Sequence, residues 1–277
     1  MKINIHPLVA LLLTLIFIII DFSTYNISVI LGISLFILIV LIFSGNADKL
    51  KKNIFYFIPY AILTMLINLI FVSDGSHVIY EFFGKKFTLE ALAYAIIISV
   101  KLLNVIYIFP LFGALVDSDD LVSFFSSIAP KSTLTLLISG KIIPRLKIRY
   151  QSIKQVFSLR GVDFNRKRKR DMIEGFLPVI ASLTADTLEG SFEIGEAAYI
   201  RGYLSSNRSV YERKELNSKD YLILIFLLVQ ISFFIWCSIN DYIYFDIYSG
   251  IGLASFFNIY VSINIIIMLI ISVIIVF

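Results

Sequence analysis

Two short segments of the chain each place an arginine directly before a glycine at the end of a predicted helix, Ser158-Leu159-Arg160-Gly161 and Tyr199-Ile200-Arg201-Gly202. Arginine in a last turn complements the helix dipole, and glycine supplies the left-handed residue that ends a helix. A guanidinium at a helix tip is also a planar fork of five donors, suited to carbonyls and carboxylates in a partner's groove. Two copies in one chain favour docking over a purely structural role. The predicted docking residues are Ser158, Leu159, Arg160, Gly161, Ile200, Arg201 and Gly202.

A row of basic residues precedes the first of these helix ends. Lys141, Arg145 and Arg149 are spaced four apart and share one face of a helix, as expected where a helix lies on anionic lipid headgroups. An unbroken basic run, 166–170, follows the helix end and is typical of a solvated or lipid-attached segment. Because no aromatic stacking residues interrupt that run, we predict no nucleic-acid partner.

The sequence lacks the residues that most kinds of active site need. Its single cysteine, Cys237, excludes a disulfide within the chain and a thiolate metal cluster, and only His6 and His77 offer imidazole. No G-x-x-x-x-G-K-[ST] phosphate-binding loop is present, because Gly140-Lys141-Ile142 breaks the motif and position 135 is not glycine. We therefore predict no catalytic, cofactor-binding or metal-binding residues in this chain.

The elements that must position these residues are long and apolar. The 277-residue chain is 58% hydrophobic and 16% charged, whereas ordinary soluble domains are about 25% charged. Since about 20 apolar residues cross a bilayer, we predict an all-α polytopic membrane protein with five to six transmembrane helices. The candidate spans are Leu8–Ile20, Ile27–Phe43, Ile54–Val72, Leu89–Val116, Tyr221–Ile239 and Gly250–Phe277.

The first of these runs is too short to cross a bilayer by itself. It must recruit neighbouring residues, pair with the second run as a re-entrant hairpin, or cross where the bilayer thins. A cleaved signal peptide is the competing interpretation, because Lys2 precedes the run. No small-residue cleavage site follows in residues 21–26, which disfavours it.

Few polar residues lie within the predicted spans. Lys101 and Asn104, both in the fourth span, are the strongest candidates for an intramembrane function. We expect Lys101 to lie near the outer boundary and to snorkel to water rather than to line a transport pathway. Asn68 is predicted to make an interhelical hydrogen bond. Glu90, at a helix start, is the only acidic residue within a predicted span.

Basic residues are concentrated in one segment. Seventeen of the 24 Lys and Arg residues lie between Lys131 and Lys219, together with nine acidic residues. The loop after the second span also carries Lys49, Lys51 and Lys52. Because cytoplasmic loops are enriched in Lys and Arg near span ends, we predict a multi-pass protein of the cell membrane with this segment and both termini in the cytoplasm.

The basic segment is predicted to contain three helices. An amphipathic helix starting near Asp117 lies at the membrane surface, and a second runs from Lys131 to about Arg160 with a kink at Pro144. A third runs from Asp171 to Arg201, with Pro178 near its first turns. We therefore divide the chain into residues 1–116, 117–219 and 220–277.

The second helix carries an apolar stripe of Ile142, Leu146, Tyr150, Ile153 and Phe157. The third has small residues that allow close helix approach, Ala181, Ala185, Gly190 and Gly195.

Several of these segments together resemble a known family, the transmembrane T component of energy-coupling factor (ECF) transporters, which includes the permease subunits of cobalt and nickel uptake systems. The resemblance covers most of the chain and is strongest from Lys101 to Tyr203. The segments that carry it are 142–146, 158–161, 176–178 and 194–203. In the family the arginine motifs usually have Ala-Arg-Gly. Here leucine and isoleucine replace the alanines, and both Arg-Gly pairs are intact.

The resemblance implies a coupling subunit of an ATP-driven ABC-superfamily importer for vitamins or transition-metal ions. Two cytoplasmic P-loop ATPase subunits, identical or different, would each receive one arginine tip of a long amphipathic coupling helix. A separate membrane subunit would capture the substrate, and ATP would be bound by the ATPases rather than by this chain.

Two other classes of function are weighed against this one. A membrane-embedded enzyme requires convergent acids, histidines or a nucleophile within the spans, and the sequence offers none. A stand-alone secondary carrier or channel often shows repeated halves with broken helices, and no such repeat is visible. Either protein would act alone, whereas a coupling subunit is inert without its partners.

Overall fold

The computed structural model describes residues 4–45, 47–71, 78–82, 85–164, 169–203, 215–243, 245 and 258–277. These residues are helical apart from one short hairpin, which confirms the all-α fold class. The helices are α1 Pro7–Ser23, α2 Ile27–Phe43, α3 Ala47–Phe71, α4 Leu89–Leu115, α5 Ser118–Ile128, α6 Pro130–Leu159, α7 Lys169–Ile200, α8 Ser218–Ile239 and α9 Ile259–Val276. Strands β1 (Val78–Phe82) and β2 (Lys85–Thr88), which were not predicted, pair antiparallel between α3 and α4.

Six of these helices coincide with the six predicted apolar spans. α4, α8 and α9 are long and apolar enough to cross a membrane, and α1, α2 and residues 57–68 of α3 form shorter apolar helices. α1 extends beyond its predicted apolar run at both ends, giving about 26 Å of helix instead of about 20 Å. α9 begins at Ile259 rather than Gly250, and residues 246–257 lie outside the described part of the chain.

The chain divides into two compact units. The first comprises Met1–Phe124 and Lys214–Phe277, and the second comprises Phe125–Arg213. The expected segments 1–116 and 220–277 thus belong to one unit. The second unit starts eight residues later than the expected boundary at residue 117.

Close helix packing forms the core of the first unit. Phe17 of α1 stacks on Phe36 of α2 with ring centroids 4.3 Å apart, and both rings are fully buried. α9 approaches α2 so closely at Gly32 that a Cβ there would lie 2.9 Å from Ile265 Cγ1. Any larger residue at this position would force the Ile265 side chain or the helices to shift, so glycine permits the close approach.

One end of the first unit holds the starts of α1 and α8 together with the ends of α4 and α9. Ile5 N–H donates to Leu115 O at 3.0 Å, His6 N–H donates to Asp220 Oδ1 at 3.1 Å, and Lys219 Nζ donates to Phe277 O. These bonds join the starts of α1 and α8 to the ends of α4 and α9.

The long helices of the second unit lie close to their predicted positions. α6 and α7 start and end within two residues of the predicted bounds. Pro144 lies inside α6, as predicted. Pro178 lies in the interior of α7 rather than near its first turns, because that helix begins at Lys169.

Candidate functional site

α6 and α7 form an antiparallel pair, called here the helical hairpin. The predicted apolar stripe of α6 is half-buried, whereas most residues beside it are exposed. Arg149 of α6 forms an ion pair with Asp186 of α7. Between the helices, a groove is lined by Ile142 on one side and Ile194 on the other. Since lower-numbered residues of α6 face higher-numbered residues of α7, the two helices run in opposite directions.

Both arginine motifs end their helices with the same backbone geometry. We call residues 158–161 the first tip and residues 200–202 the second tip. Gly161 has φ +88° and Gly202 has φ +73°, a conformation that L side chains rarely adopt. Each tip makes the two hydrogen bonds of a Schellman motif, at 2.9–3.1 Å. These are Gly161 N to Ser158 O, Val162 N to Phe157 O, Gly202 N to Tyr199 O and Tyr203 N to Ala198 O. The predicted glycine caps are therefore confirmed.

The side chains at the tips distinguish them from other helix ends. α8 has the same backbone motif at Asp241, so the cap alone does not indicate a binding role. At the tips, Arg160 and Arg201 are exposed, and each follows a highly exposed apolar residue, Leu159 at 89% and Ile200 at 75%. Single exposed apolar residues are common. Here they recur at the equivalent position beside each arginine.

The two tips lie at opposite ends of the helical hairpin. A Cβ built at Gly175, early in α7, would lie 3.5 Å from Val162 Cγ1, so the turn after the first tip rests beside the start of α7. The second tip follows the other end of that helix. From position 175 to Arg201, about 26 residues at 1.5 Å each separate the tips by about 39 Å. One small binding site cannot hold both.

The three residues of the row predicted to face lipid have different surroundings in the helical hairpin. Lys141 and Arg145 are exposed, and Arg145 lines the groove between the helices. Arg149 instead pairs with Asp186, so its charge is partly neutralised within the protein. The basic run 166–170 lies outside the described residues except for its last members: the side chain of Arg170 pairs with Glu174 at 3.6 Å.

Among the described residues, the small residues of α7 make no close contact with another helix. Ala181 and Ala185 are exposed, and a Cβ at Gly190 or Gly195 would meet no atom within 4 Å among the described residues. The close approach predicted from these positions is therefore absent within the described part of the second unit.

A buried polar cluster in the first unit was missed by the sequence analysis. Asp21 is 0% exposed because α1 continues through it, and its Oδ1 accepts from Asn104 Nδ2 at 2.9 Å. Asn104 Nδ2 also donates to Ile30 O at 3.2 Å, and Ser34 Oγ donates to Asn104 Oδ1 at 2.6 Å. Asn104 therefore ties α4 to both α1 and α2. Oδ2 of Asp21 has no hydrogen-bond partner among the described residues.

Lys101 belongs to the same cluster and does not snorkel. Its side chain is 6% exposed, and its Nζ donates to Phe22 O at 3.4 Å and lies 3.8 Å from the centroid of the Tyr25 ring. Its charge attracts the Asp21 carboxylate. The ammonium thus interacts with the C-terminal end of α1, where free carbonyls favour a cation. A charge within a membrane span requires a partner, so Lys101 was the residue that could have indicated this cluster from the sequence. Its partners lie just after Ile20, the predicted end of the first span.

Two other polar contacts join helices of the first unit. Gln230 Nε2 donates to Asn264 Oδ1 at 2.8 Å, between α8 and α9. Thr64 and Ser99 hydroxyls lie 2.9 Å apart between α3 and α4. Asn68, predicted to bond across helices, instead donates to Thr64 O within α3 at 2.9 Å. The contact between α3 and α4 is made instead by Thr64, one turn earlier on the same face of α3.

The described residues contain no group of three or more His, Cys, Asp or Glu side chains that converge as metal ligands do. Comparison with known families shows that residues 2–211 fit the family model described as CbiQ, cobalt transport protein. That match includes α1 to α7 and both arginine tips. A search of curated proteins finds no match.

Proposed function

Because the chain belongs to the CbiQ cobalt transport protein family, we propose that it is the transmembrane coupling subunit, or T component, of an ATP-driven ECF-type importer. Each of two cytoplasmic P-loop ATPase subunits receives one arginine tip. ATP is bound by those subunits, and this chain binds no cofactor and catalyses no reaction. Closure of the ATPases moves the helical hairpin, and the hairpin moves a separate substrate-binding membrane subunit.

The pair of tips is the observation that supports this proposal most directly. Each presents an arginine beside an exposed apolar side chain on a glycine-capped helix end. An arginine with an apolar neighbour suits a pocket that has carboxylates or carbonyls at its rim. A separation of about 39 Å requires two receiving sites, which a dimer of ATPases supplies.

The second unit and both termini face the cytoplasm in this proposal. Its support is the concentration of basic residues between Lys131 and Lys219, together with the start of α1 and the end of α9 lying at one end of the first unit. The cargo is a transition-metal ion or a vitamin, and Co²⁺ is the first to test because of the family description.

Purification from native membranes tests the proposal. We expect the tagged chain, extracted in mild detergent, to co-elute with P-loop ATPases and a further small membrane protein, all identifiable by mass spectrometry. Cells that express these chains together should accumulate radioactive Co²⁺, and cells lacking the ATPases should not. A chain that elutes without any ATPase contradicts the proposal.

Reconstitution of the purified chain alone tests the two alternatives. A secondary carrier would transport Co²⁺ into liposomes without ATPases, and a membrane-embedded enzyme would turn over its substrate without partners. We expect the chain to be inert in both assays.

We also predict that α6 responds to the charge of the lipid through Lys141 and Arg145. Each exposed basic residue near an anionic surface contributes about 1 kcal/mol, so two contribute about 2 kcal/mol, or about 30-fold in a local equilibrium. Hydrogen exchange in α6 of the full chain should be slower in anionic than in neutral nanodiscs. Lys141→Gln with Arg145→Gln should remove most of that difference, and Lys147→Gln, at an exposed site outside the row, should preserve it. Equal exchange in both lipids would refute the prediction.

A further inference from the structure

A cluster of two aromatic rings and a lysine joins the first tip to the start of α7. Phe164, in the turn after the tip, lies against Phe176 of α7 with ring centroids 4.9 Å apart. Lys154 of α6 places its Nζ 5.3 Å from one ring centroid and 5.5 Å from the other. Phe164 is only 9% exposed, although it lies in a turn of a largely exposed unit.

The backbone of the same turn is held close to α7. At Gly175, a Cβ would lie 3.5 Å from Val162 Cγ1 and 3.6 Å from Asp163 O, which is ordinary contact distance. Val179, one turn further along α7, is fully buried. The turn that follows Arg160 is therefore packed onto the neighbouring helix as well as connected to it through the chain.

The Phe164 ring is buried and packs at 43° against the half-buried Phe176 ring, so the cluster mainly makes contacts within the helical hairpin. From these contacts we infer that Phe164, Phe176 and Lys154 form a rigid link through which displacement of the first tip is passed directly to α7. We name it the aromatic link. The inference rests on the proposed function, since it concerns how a docked ATPase moves the hairpin.

The aromatic link makes α6 and α7 respond as one body at this end of the hairpin. Without it, an ATPase that pulls on Arg160 would bend the turn at residues 161–164 before α7 moved. With it, the close-packed rings transmit the displacement, because packed side chains resist compression. The second tip ends α7 itself, so it needs no such connection to move that helix.

Removing the rings tests the aromatic link in the complete transporter. We expect Phe164→Ala with Phe176→Ala to retain the ATPase subunits within about twofold of the wild type and to keep hydrolysing ATP. Co²⁺ uptake in proteoliposomes should fall at least about tenfold, so more ATP is consumed per ion. The pair Phe164→Tyr with Phe176→Tyr keeps both rings and should restore uptake. Phe109→Ala, which removes an exposed ring from α4, is the matched control and should have no effect.

A disulfide provides a second test that does not depend on a weakened fold. A Cβ at position 175 would lie 3.5 Å from Val162 Cγ1, so cysteines at these two sites would be neighbours that a disulfide or a short thiol cross-linker can join. The only native cysteine, Cys237, is buried. We expect Val162→Cys with Gly175→Cys, once oxidised, to transport Co²⁺ at the rate of its reduced form, because the link already holds these residues together.

Three outcomes would overturn the inference. They are normal uptake by the double alanine variant, loss of its ATPases in proportion to its uptake, and inhibition by the disulfide that a reductant reverses. Proportional loss would mean that the cluster only shapes the docking surface at Arg160. A wild-type chain that retains no ATPase contradicts the proposed function itself, which separates that failure from failure of the aromatic link.

Discussion

A chain carrying both Arg160→Glu and Arg201→Glu should lose its ATPase subunits almost completely on purification. Each substitution removes a guanidinium from an exposed helix tip and puts a carboxylate where the proposed ATPase would bind a cation. A buried interface arginine commonly contributes roughly 2 kcal/mol or more, which is about 30-fold in affinity. We therefore expect at least about tenfold less co-purified ATPase and no measurable uptake.

The single substitutions should have smaller effects than the double one. The tips lie about 39 Å apart, and in the proposed complex they bind different subunits of one ATPase dimer. In a single variant, the unchanged tip stays bound and so holds the mutated tip at high effective concentration near its own ATPase subunit. We expect severalfold less ATPase for each single variant. Quantitative mass spectrometry of the eluted complex measures the ratio directly.

Lys147→Glu is the matched control for these charge reversals. It makes the same change at an exposed position of α6 away from both tips, and it should leave ATPase retention unchanged. Wild-type retention by the double arginine variant would contradict docking through the tips.

A change of backbone at the tips should have an effect similar to the loss of charge. Gly202→Val places a β-branched residue at φ +73°. For residues other than glycine, this left-handed conformation costs about 1–2 kcal/mol. The end of α7 should then turn differently and misplace Arg201 while its charge remains. ATPase retention should fall severalfold, as measured by the same assay.

The largest loss of stability should come from breaking the buried charge cluster of the first unit. Lys101→Met leaves the Asp21 carboxylate, which is 0% exposed, without an opposing charge. Asp21→Asn leaves the Lys101 ammonium with only a carbonyl and a ring. Asp21 and Lys101 attract each other without a direct salt bridge, so losing either charge should cost somewhat less than the roughly 3–5 kcal/mol typical of a directly bonded buried pair. In detergent, we expect the unfolding temperature of each single variant to lie well below that of the wild type.

The double variant, Asp21→Asn with Lys101→Met, should be more stable than either single variant. It buries no net charge, and the side-chain oxygen of the new amide at position 21 can still accept a hydrogen bond from Asn104. The four proteins form a double-mutant cycle whose coupling energy measures the interaction of the pair. Lys131→Met, at an exposed site in the second unit, serves as the control for loss of one positive charge. Additive effects of the two changes would contradict the cluster.

Features that depend on local spacing were predicted well. Residues four or three apart share one helix face whatever surrounds the helix, so the stripe from Ile142 to Phe157 is half-buried as expected. The glycine caps follow in the same way, because only glycine adopts the required φ at low cost. The apolar spans are a matter of composition and length.

Features that depend on partners far away in sequence were predicted poorly. Lys101 was expected to snorkel because its partners, the end of α1 and Asp21, lie about eighty positions earlier. Arg149 was placed in a lipid-facing row, and nothing in the sequence indicated that it also pairs with Asp186 of the other helix in the hairpin. In both cases the charge was recognised, and its counterpart was not.

The sequence by itself determined the class of protein, the number of apolar helices and the position of both arginine motifs, because these follow from composition and periodicity along one chain. Only the tertiary structure decided that the tips point to opposite ends of one hairpin and that Asp21, Lys101 and Asn104 meet inside the membrane unit. The physical reason is that electrostatic and packing energies depend on distance in space. The bends between helices set that distance, and helical periodicity carries no information about them.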